Sequence, residues 1–387
     1  MFAEAFRNKT VWLSGHTGFK GAWLAQWLLE LGADVHGFAL EPATRPALFN
    51  QLGLAGQLHH RIADVRDPAA VRKSIAKVQP DFVFHLAAQP LVRLSYEQPV
   101  ETYQTNVLGT IHVLEALRNL QKPCAAVLIT TDKCYENREW LHSYREEDPL
   151  GGHDPYSSSK AAAEIAISAW RRSFFKKHPV KIASARAGNV IGGGDWAKDR
   201  IVPDCIRALQ KKRPIAVRHP NATRPWQHVL EPLSGYLWLA ARLRMENRGR
   251  RTEDGGQRDS RPSSVISHQS SVISPLASAF NFGPTHEANR TVGELVAEVL
   301  KHWPGRWENK SDPRAVHEAG LLQLSTDKAH ALLDWSPVWP FPAAVERTVA
   351  WYRETAADPR SARARAGRQI EQYQADASRA GLLWAVK

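Results

Sequence analysis

Tyr156-Ser157-Ser158-Ser159-Lys160 places a phenol and an amine four residues apart at the start of a helical pattern, and so on one helix face. A tyrosine normally titrates at about 10. A neighbouring ammonium and a positive nicotinamide would stabilise its phenolate, which predicts a base that takes a hydroxyl proton as hydride leaves the same carbon. Thr131 closes the strand-like run before this helix. Further upstream, Gly15-His16-Thr17-Gly18-Phe19-Lys20-Gly21 lies between the first apolar run and the first helical pattern. Glycines at this spacing allow a tight turn, close backbone approach to a pyrophosphate, and close helix–sheet packing. The helix N-terminus behind them offers unpaired N–H groups to phosphate. Either motif alone is common by chance. Together they predict a dinucleotide site beside an oxidation site.

These groups need a scaffold, and the chain's periodicity supplies one. Strands are expected at Thr10–Ser14, Val35–Leu40, His60–Ala63, Phe82–Leu86, Ala125–Thr130 and Lys181–Arg186. Helices are expected at Phe19–Leu31, Ala69–Val78, Val100–Leu120 and Tyr156–Phe175. Such alternation defines an α/β fold, a Rossmann-type doubly wound parallel sheet. Residues 1–187 are assigned to it, with returning elements at 225–245 and 279–284. Residues 188–387, rich in Pro and Trp after Gly192-Gly193-Gly194, form a smaller C-terminal substrate lobe. Residues 247–278 carry a short repeat, Ser264-Val265-Ile266-Ser267 and Ser271-Val272-Ile273-Ser274, and are expected to be a mobile surface insertion.

The second strand's end separates NAD from NADP, since an acid there accepts from the ribose 2′-hydroxyl and an Arg favours a 2′-phosphate. Phe38-Ala39-Leu40 carries neither, Glu41 follows, and Arg45 is near. NAD is the expected cofactor. Asp64 either accepts from the adenine amino group or caps its own loop.

The length of 387 residues is enough for two lobes. The formal charge of +12 is spread over Arg242–Arg261, the tail Arg360–Arg379 and elsewhere, without interleaved aromatics. That argues against nucleic acid and suits a diphosphate substrate. Most of the 14 Trp are expected in the core. Three Cys at non-ligand spacing predict reduced thiols and a cytoplasmic protein. No apolar leader or membrane-length run is visible. His59-His60 is paired without matching ligands nearby in sequence, so no metal site is expected.

Several stretches together resemble the extended short-chain dehydrogenases/reductases that act on nucleotide sugars. They are the glycine loop, His85-Leu86-Ala87-Ala88-Gln89-Pro90, Thr131-Asp132-Lys133-Cys134-Tyr135, Arg186 through Trp196, Arg224-Pro225-Trp226-Gln227-His228-Val229 and Asn281-Phe282-Gly283-Pro284. Within that family the chain is similar to the 4,6-dehydratase branch that takes CDP-glucose. The resemblance implies C4 oxidation with Tyr156 as base and Thr131 on the reacting oxygen. Water is then lost across C5 and C6, with Asp132 as acid, and hydride returns to C6. Dehydratases on dTDP-glucose carry Asp-Glu where this chain has Asp132-Lys133, so Lys133 and Glu136 both stand as candidates for the C5 base. The dinucleotide would meet Gly15, His16, Thr17, Gly18, Phe19, Gly21, Leu86, Ala87 and Ala88, besides Tyr156 and Lys160. The substrate would meet Arg224 first, then Asn189, Asp195, Arg218, Lys198 and Arg93. A two-fold helical dimer and a place in surface-polysaccharide deoxysugar synthesis are also implied. The alternatives are an epimerase, a dehydratase on a GDP-, dTDP- or UDP-sugar, or a non-catalytic NAD-binding regulatory or RNA-binding protein.

Overall fold

The computed structural model describes residues 1–253, 274–311 and 320–386. Its centre is a seven-stranded sheet built from β1 (Thr10–Ser14), β2 (Asp34–Ala39), β3 (His59–Ile62), β4 (Phe82–His85), β5 (Cys124–Ile129), β6 (Val180–Arg186) and β7 (Ala279–Asn281). The spatial order is β7-β6-β5-β4-β1-β2-β3, and every pair is parallel. Both faces are covered, which is why β4 and β5 read as unbroken apolar runs rather than as alternation. Along β1, Val11 and Leu13 enter one core with Trp23 and Trp27, while Trp12 enters the other with Phe38 and Val83.

The chain direction across the sheet reverses between β1 and β4, so the crevice for a ligand opens at the carboxyl ends of these strands. Four of the sequence's segments open onto it. The glycine loop leaves β1, Leu86 follows β4, Thr131 follows β5, and Asn189 follows β6. The covering helices are α1 (Phe19–Glu30), α2 (Pro68–Val78), α3 (residues 99–118) and α4 (Pro155–Ser173). In α3 the stretches Pro99–Tyr103 and Gly109–Arg118 are joined by a π turn at Gln104–Leu108. Further on come α5 (Ile201–Gln210), α6 (Leu230–Glu253), α7 (Phe341–Ala357) and α8 (Ala362–Arg379). Glu231, at the start of α6, is buried and accepts from the Val338 and Trp339 N–H groups and the Tyr373 hydroxyl, tying the C-terminal helices to the sheet.

Two expectations are amended. The insertion was placed from Asn247, but α6 continues to Glu253. Residues 254–273, with most of the serine repeat and part of the Arg242–Arg261 tract, lie outside the described residues. His59 is not without ligands nearby, because strand register sets it beside His36, with Asp34 on the same face. The three Cys are free and buried, and no helix among the described residues is long and apolar enough to cross a membrane.

Beneath the carboxyl edge lies a buried ion pair, Arg186 Nη2 to Glu164 Oε2 at 2.8 Å, with side chains 4% and 2% exposed. Thr130 and Ser184 donate to Glu164, and Arg186 donates to the Tyr135 hydroxyl and the Glu146 carbonyl. Removing one partner leaves a buried charge alone. Glu164→Ala is expected to cost about 3–5 kcal/mol in urea-unfolding stability, and the double variant Glu164→Leu/Arg186→Met much less.

Candidate functional site

Asp154 caps α4 by accepting from the Ser157 N–H and hydroxyl, and Pro155 occupies the first helical turn. This start fixes Tyr156 in the first turn, with Lys160 one turn on and Glu164 another. The Tyr156 N–H donates to Ser95 Oγ at 3.1 Å. Its phenol is hydrogen-bonded with Thr131, whose hydroxyl donates to Asp132 Oδ1 at 3.0 Å. Asn189 Nδ2 donates to the other Asp132 oxygen at 3.1 Å. Asp132 opens a short 3-10 turn, Asp132–Cys134, in which the Lys133 N–H reaches back to Thr131 Oγ1. Asp132 is buried and Lys133 half-buried. Tyr156, Thr131, Asp132 and Asn189 thus form one connected polar cluster.

The electrostatics differ from the sequence expectation. Burial pushes the Tyr156 phenol up to about 12, against the help of Thr131, although a lowered value was anticipated. The same burial pushes the Lys160 ammonium down to about 8, only partly opposed by Glu164, and its amine approaches the Ile129 carbonyl at 3.4 Å. In a dry cleft both groups favour their neutral forms. Additional positive charge is needed before the phenol ionises readily.

The glycine loop fits a dinucleotide. Gly15 has φ +75°, and a Cβ there would lie 2.7 Å from the Ala87 nitrogen; at Gly21 it would lie 2.1 Å from the Gly15 carbonyl oxygen. Gly18 caps α1 without a side-chain acceptor, so the helix's first N–H groups face the crevice. Phe19 is the first residue of α1 and packs against the main core. Ser14 Oγ accepts from the Leu86 and Ala87 N–H groups and meets His85 Nδ1 at 2.7 Å, anchoring the segment that continues to Ala88. Thr17 donates to the Leu40 carbonyl. His16 is buried against Phe49, with its Nε2 2.7 Å from His60 Nδ1 and its Nδ1 unsatisfied; burial, then His60, lowers it to about 3. Asp64 accepts from the Arg66 backbone and guanidinium, a loop cap with a side-chain ion pair. Glu41 and Arg45 are exposed.

The substrate candidates scatter more. Asn189, with φ +49°, belongs to the Asp132 cluster. Asp195 is buried, paired with Arg200 at 2.9 Å, and caps the turn at Ala197. Arg224 is buried, with Nη1 donating to the Thr223 and Gly320 carbonyls. Arg218 pairs with Asp199, whose charge also feels Arg93 and Lys198; Lys198 is exposed. Glu136 is exposed three residues beyond Thr-Asp-Lys, against the Gly151 turn. A cavity of about 510 Å³ borders Pro225, Trp140, Arg145 and His286 and holds none of the Tyr156 cluster.

Sequence reasoning missed three residues. Lys20 is lowered to about 8 by burial and then Arg200, while Asp132, Lys160 and Asp195 also act on it, so it belongs to the cleft. Its signal was a lysine amid the apolar start of α1. Arg200, just before α5, is held up by Asp195 and feels Tyr156. Asn106, in the π turn, bonds Gln89 through both backbone groups and donates to Ser159, joining the β4 loop to α4. Helical periodicity runs through the π turn and gave no sign of it.

A parallel sheet with this glycine loop and a Tyr-Lys pair on the helix after β5 defines an extended short-chain dehydrogenase/reductase. Residues 13–247 match the family described as GDP-mannose 4,6 dehydratase, and the chain belongs to that family. It is 45% identical over 357 residues to the CDP-glucose 4,6-dehydratase of Salmonella typhimurium, covering 90% of this chain and 91% of that protein. It is 26% identical to a probable dTDP-glucose 4,6-dehydratase of Sinorhizobium fredii, over 88% of this chain and 92% of that one. Its fold matches the dTDP-glucose 4,6-dehydratase of Bacillus anthracis in complex with NAD, at TM-score 0.71 and 18% identity, covering 90% and 98% of the two chains.

Gly188 makes room for Asp132, since a Cβ there would lie 1.9–2.1 Å from its carboxyl atoms. Gly188→Ala is expected to displace the carboxylate, slow turnover by about a hundredfold and, by overpacking a buried site, lower unfolding stability by about 1–3 kcal/mol. Steady-state kinetics and urea titration check both.

Proposed function

We propose that the chain is an NAD-dependent CDP-glucose 4,6-dehydratase, a lyase. The observation that carries this reading is the connected Tyr156–Thr131–Asp132 cluster at the sheet's carboxyl edge. A 45% identical relative of nearly equal length bears that activity, which supports it. An epimerase has no use for a buried carboxyl beside the threonine, and a non-catalytic binder has no use for the Tyr-Lys pair.

The glycine loop and the first N–H groups of α1 would hold the pyrophosphate, and the Leu86–Ala88 backbone would flank the nicotinamide end. NAD⁺ supplies a reversible hydride acceptor and a positive charge. Tyr156 takes the proton of the sugar C4 hydroxyl, with Thr131 bonded to the same oxygen. Lys160 helps hold the phenolate. Once C4 is a ketone the C5 hydrogen is acidic, and Lys133 removes it while the C6 hydroxyl departs with a proton from Asp132. The route Tyr156–Thr131–Asp132 can carry the proton gained at C4 to the leaving oxygen. The products are then water and an enone, which takes hydride at C6 and a proton at C5. Arg224 and Arg200 are the cations proposed for the diphosphate.

A homodimer is proposed through α3 and α4. Val100, Tyr103 and Leu108 on α3 and Ile165 on α4 are large apolar residues left exposed. Light scattering should give twice the 43.3 kDa chain mass, and Leu108→Glu should shift it toward monomer.

The decisive experiment incubates the protein with NAD and CDP-, dTDP-, GDP- or UDP-sugars and scores the 4-keto-6-deoxy product. Product from CDP-glucose alone is expected. No turnover of any sugar while NAD still binds would end the dehydratase reading. In deuterated water, Lys133→Met should lose wash-in at C5; wild-type wash-in would move the base role elsewhere, with Glu136 next.

A further inference from the structure

Outside the cleft, the β2–β3 edge of the sheet gathers metal-ligating side chains. Asp34 and His36 are two apart on β2, so both point to one face. On the parallel neighbour β3, His59 is the register partner of His36 and points to the same face. The next residue, His60, turns to the opposite face and meets His16 of the glycine loop. Asp34 stands between the two imidazoles: Oδ2 lies 3.0 Å from His36 Nε2, and Oδ1 lies 3.1 Å from His59 Nε2. The rings stack with centroids 4.3 Å apart and planes within 16°. One donor atom from each of the three residues falls within 4.8 Å of the other two.

We propose that Asp34, His36 and His59 form a binding site for a borderline divalent cation, Zn²⁺ before all others. Two imidazoles with one carboxylate are the donor set that such ions prefer and that Mg²⁺ and Ca²⁺ do not. A cation bonded to nitrogen and oxygen at about 2.1 Å accepts donors up to about 4 Å apart. Small rotations of surface side chains bring this trio within that span. The side chains are 49%, 24% and 68% exposed for Asp34, His36 and His59, so an ion enters without opening the fold and water completes its shell. In the metal-free form each Nε2–H donates to an Asp34 oxygen. On binding, each imidazole passes its proton to Nδ1 through solvent and presents the freed Nε2 lone pair, so no oxidant or further reactant is involved. The cation thereby clips the edge strand β3 to β2, directly behind the strand residue that contacts the glycine loop.

Isothermal titration of tag-free full-length protein with ZnCl₂ tests the site, with Co²⁺ absorption as a second readout. One equivalent of Zn²⁺ should bind, and Co²⁺ should develop d–d bands. His36→Ala and His59→Ala should each weaken binding by at least about tenfold, the loss caused by removing even an outer partner of a metal ligand. His330→Ala, at an exposed histidine elsewhere, should leave it unchanged. His59 is exposed, so that variant should keep the wild-type circular dichroism spectrum. Zn²⁺ binding equal in the wild type and both ligand variants, or no stoichiometric binding in the wild type, overturns the proposal. Neither outcome bears on the dehydratase reading.

Discussion

The buried pair of Glu164 and Arg186 is the constraint on which the carboxyl edge is organised. Each ion loses several kcal/mol of hydration on burial, and only complete hydrogen bonding offsets this. The offset draws on four elements. Thr130 at the end of β5, Ser184 on β6, Tyr135 beyond the Asp132 turn and the Glu146 carbonyl all bond to the pair. Tyr135 passes the network to Asn281 of β7, the strand that returns to the sheet after α6. Because Glu164, Lys160 and Tyr156 are spaced by four on α4, fixing the innermost sets the axial rotation of the other two. Catalytic geometry at the surface of the cleft is therefore inherited from an ion pair two turns below it.

Dryness is the second consequence. The groups that line the cleft are displaced toward neutrality: the Tyr156 phenol to about 12, the Lys160 and Lys20 ammoniums to about 8, and His85 to about 3. In each case burial is the largest cause. Two pairs of opposite charge flank the cleft, Arg200 with Asp195 and Arg186 with Glu164. Such a site is poised for a cationic ligand, since one positive charge in a low-dielectric cleft favours the phenolate far more than it would in water. On the proposed mechanism, that charge is what lets a tyrosine raised in the protein alone act as the base.

Strands β1 to β6 were placed to within a residue or so at each end; β4 and β5, covered on both faces, leave unbroken apolar runs, whereas the exposed edge strand β3 does not. The glycine loop and the Tyr156–Lys160 pair were legible because each rests on local spacing. What escaped depends on side chains meeting across the fold. Arg200 and Lys20 reach the cleft from α5 and α1, Asn106 enters through a π turn that helical periodicity conceals, and Asp34 meets His59 only through strand pairing. The end of α6 was misplaced because Asn247–Glu253 has the polar composition of a loop, yet it continues a helix whose earlier turns are packed on β5 and β6.

Glycines mark where polar groups occupy space that a side chain would otherwise take. Gly188 is empty at Cβ because the Asp132 carboxylate fills that volume, and Gly37 on β2 because the His16 ring does, 2.6 Å away. At these two positions the glycine reports the polar group opposite it rather than flexibility of its own backbone. By that logic the Asp132–Gly188 contact is as much part of the proposed acid's placement as the hydrogen bonds from Thr131 and Asn189, since together they leave the carboxyl one position. The lysine next to it, Lys133, is half-buried. A carboxyl held in one position suits the proposed role of protonating a leaving oxygen whose place the sugar fixes.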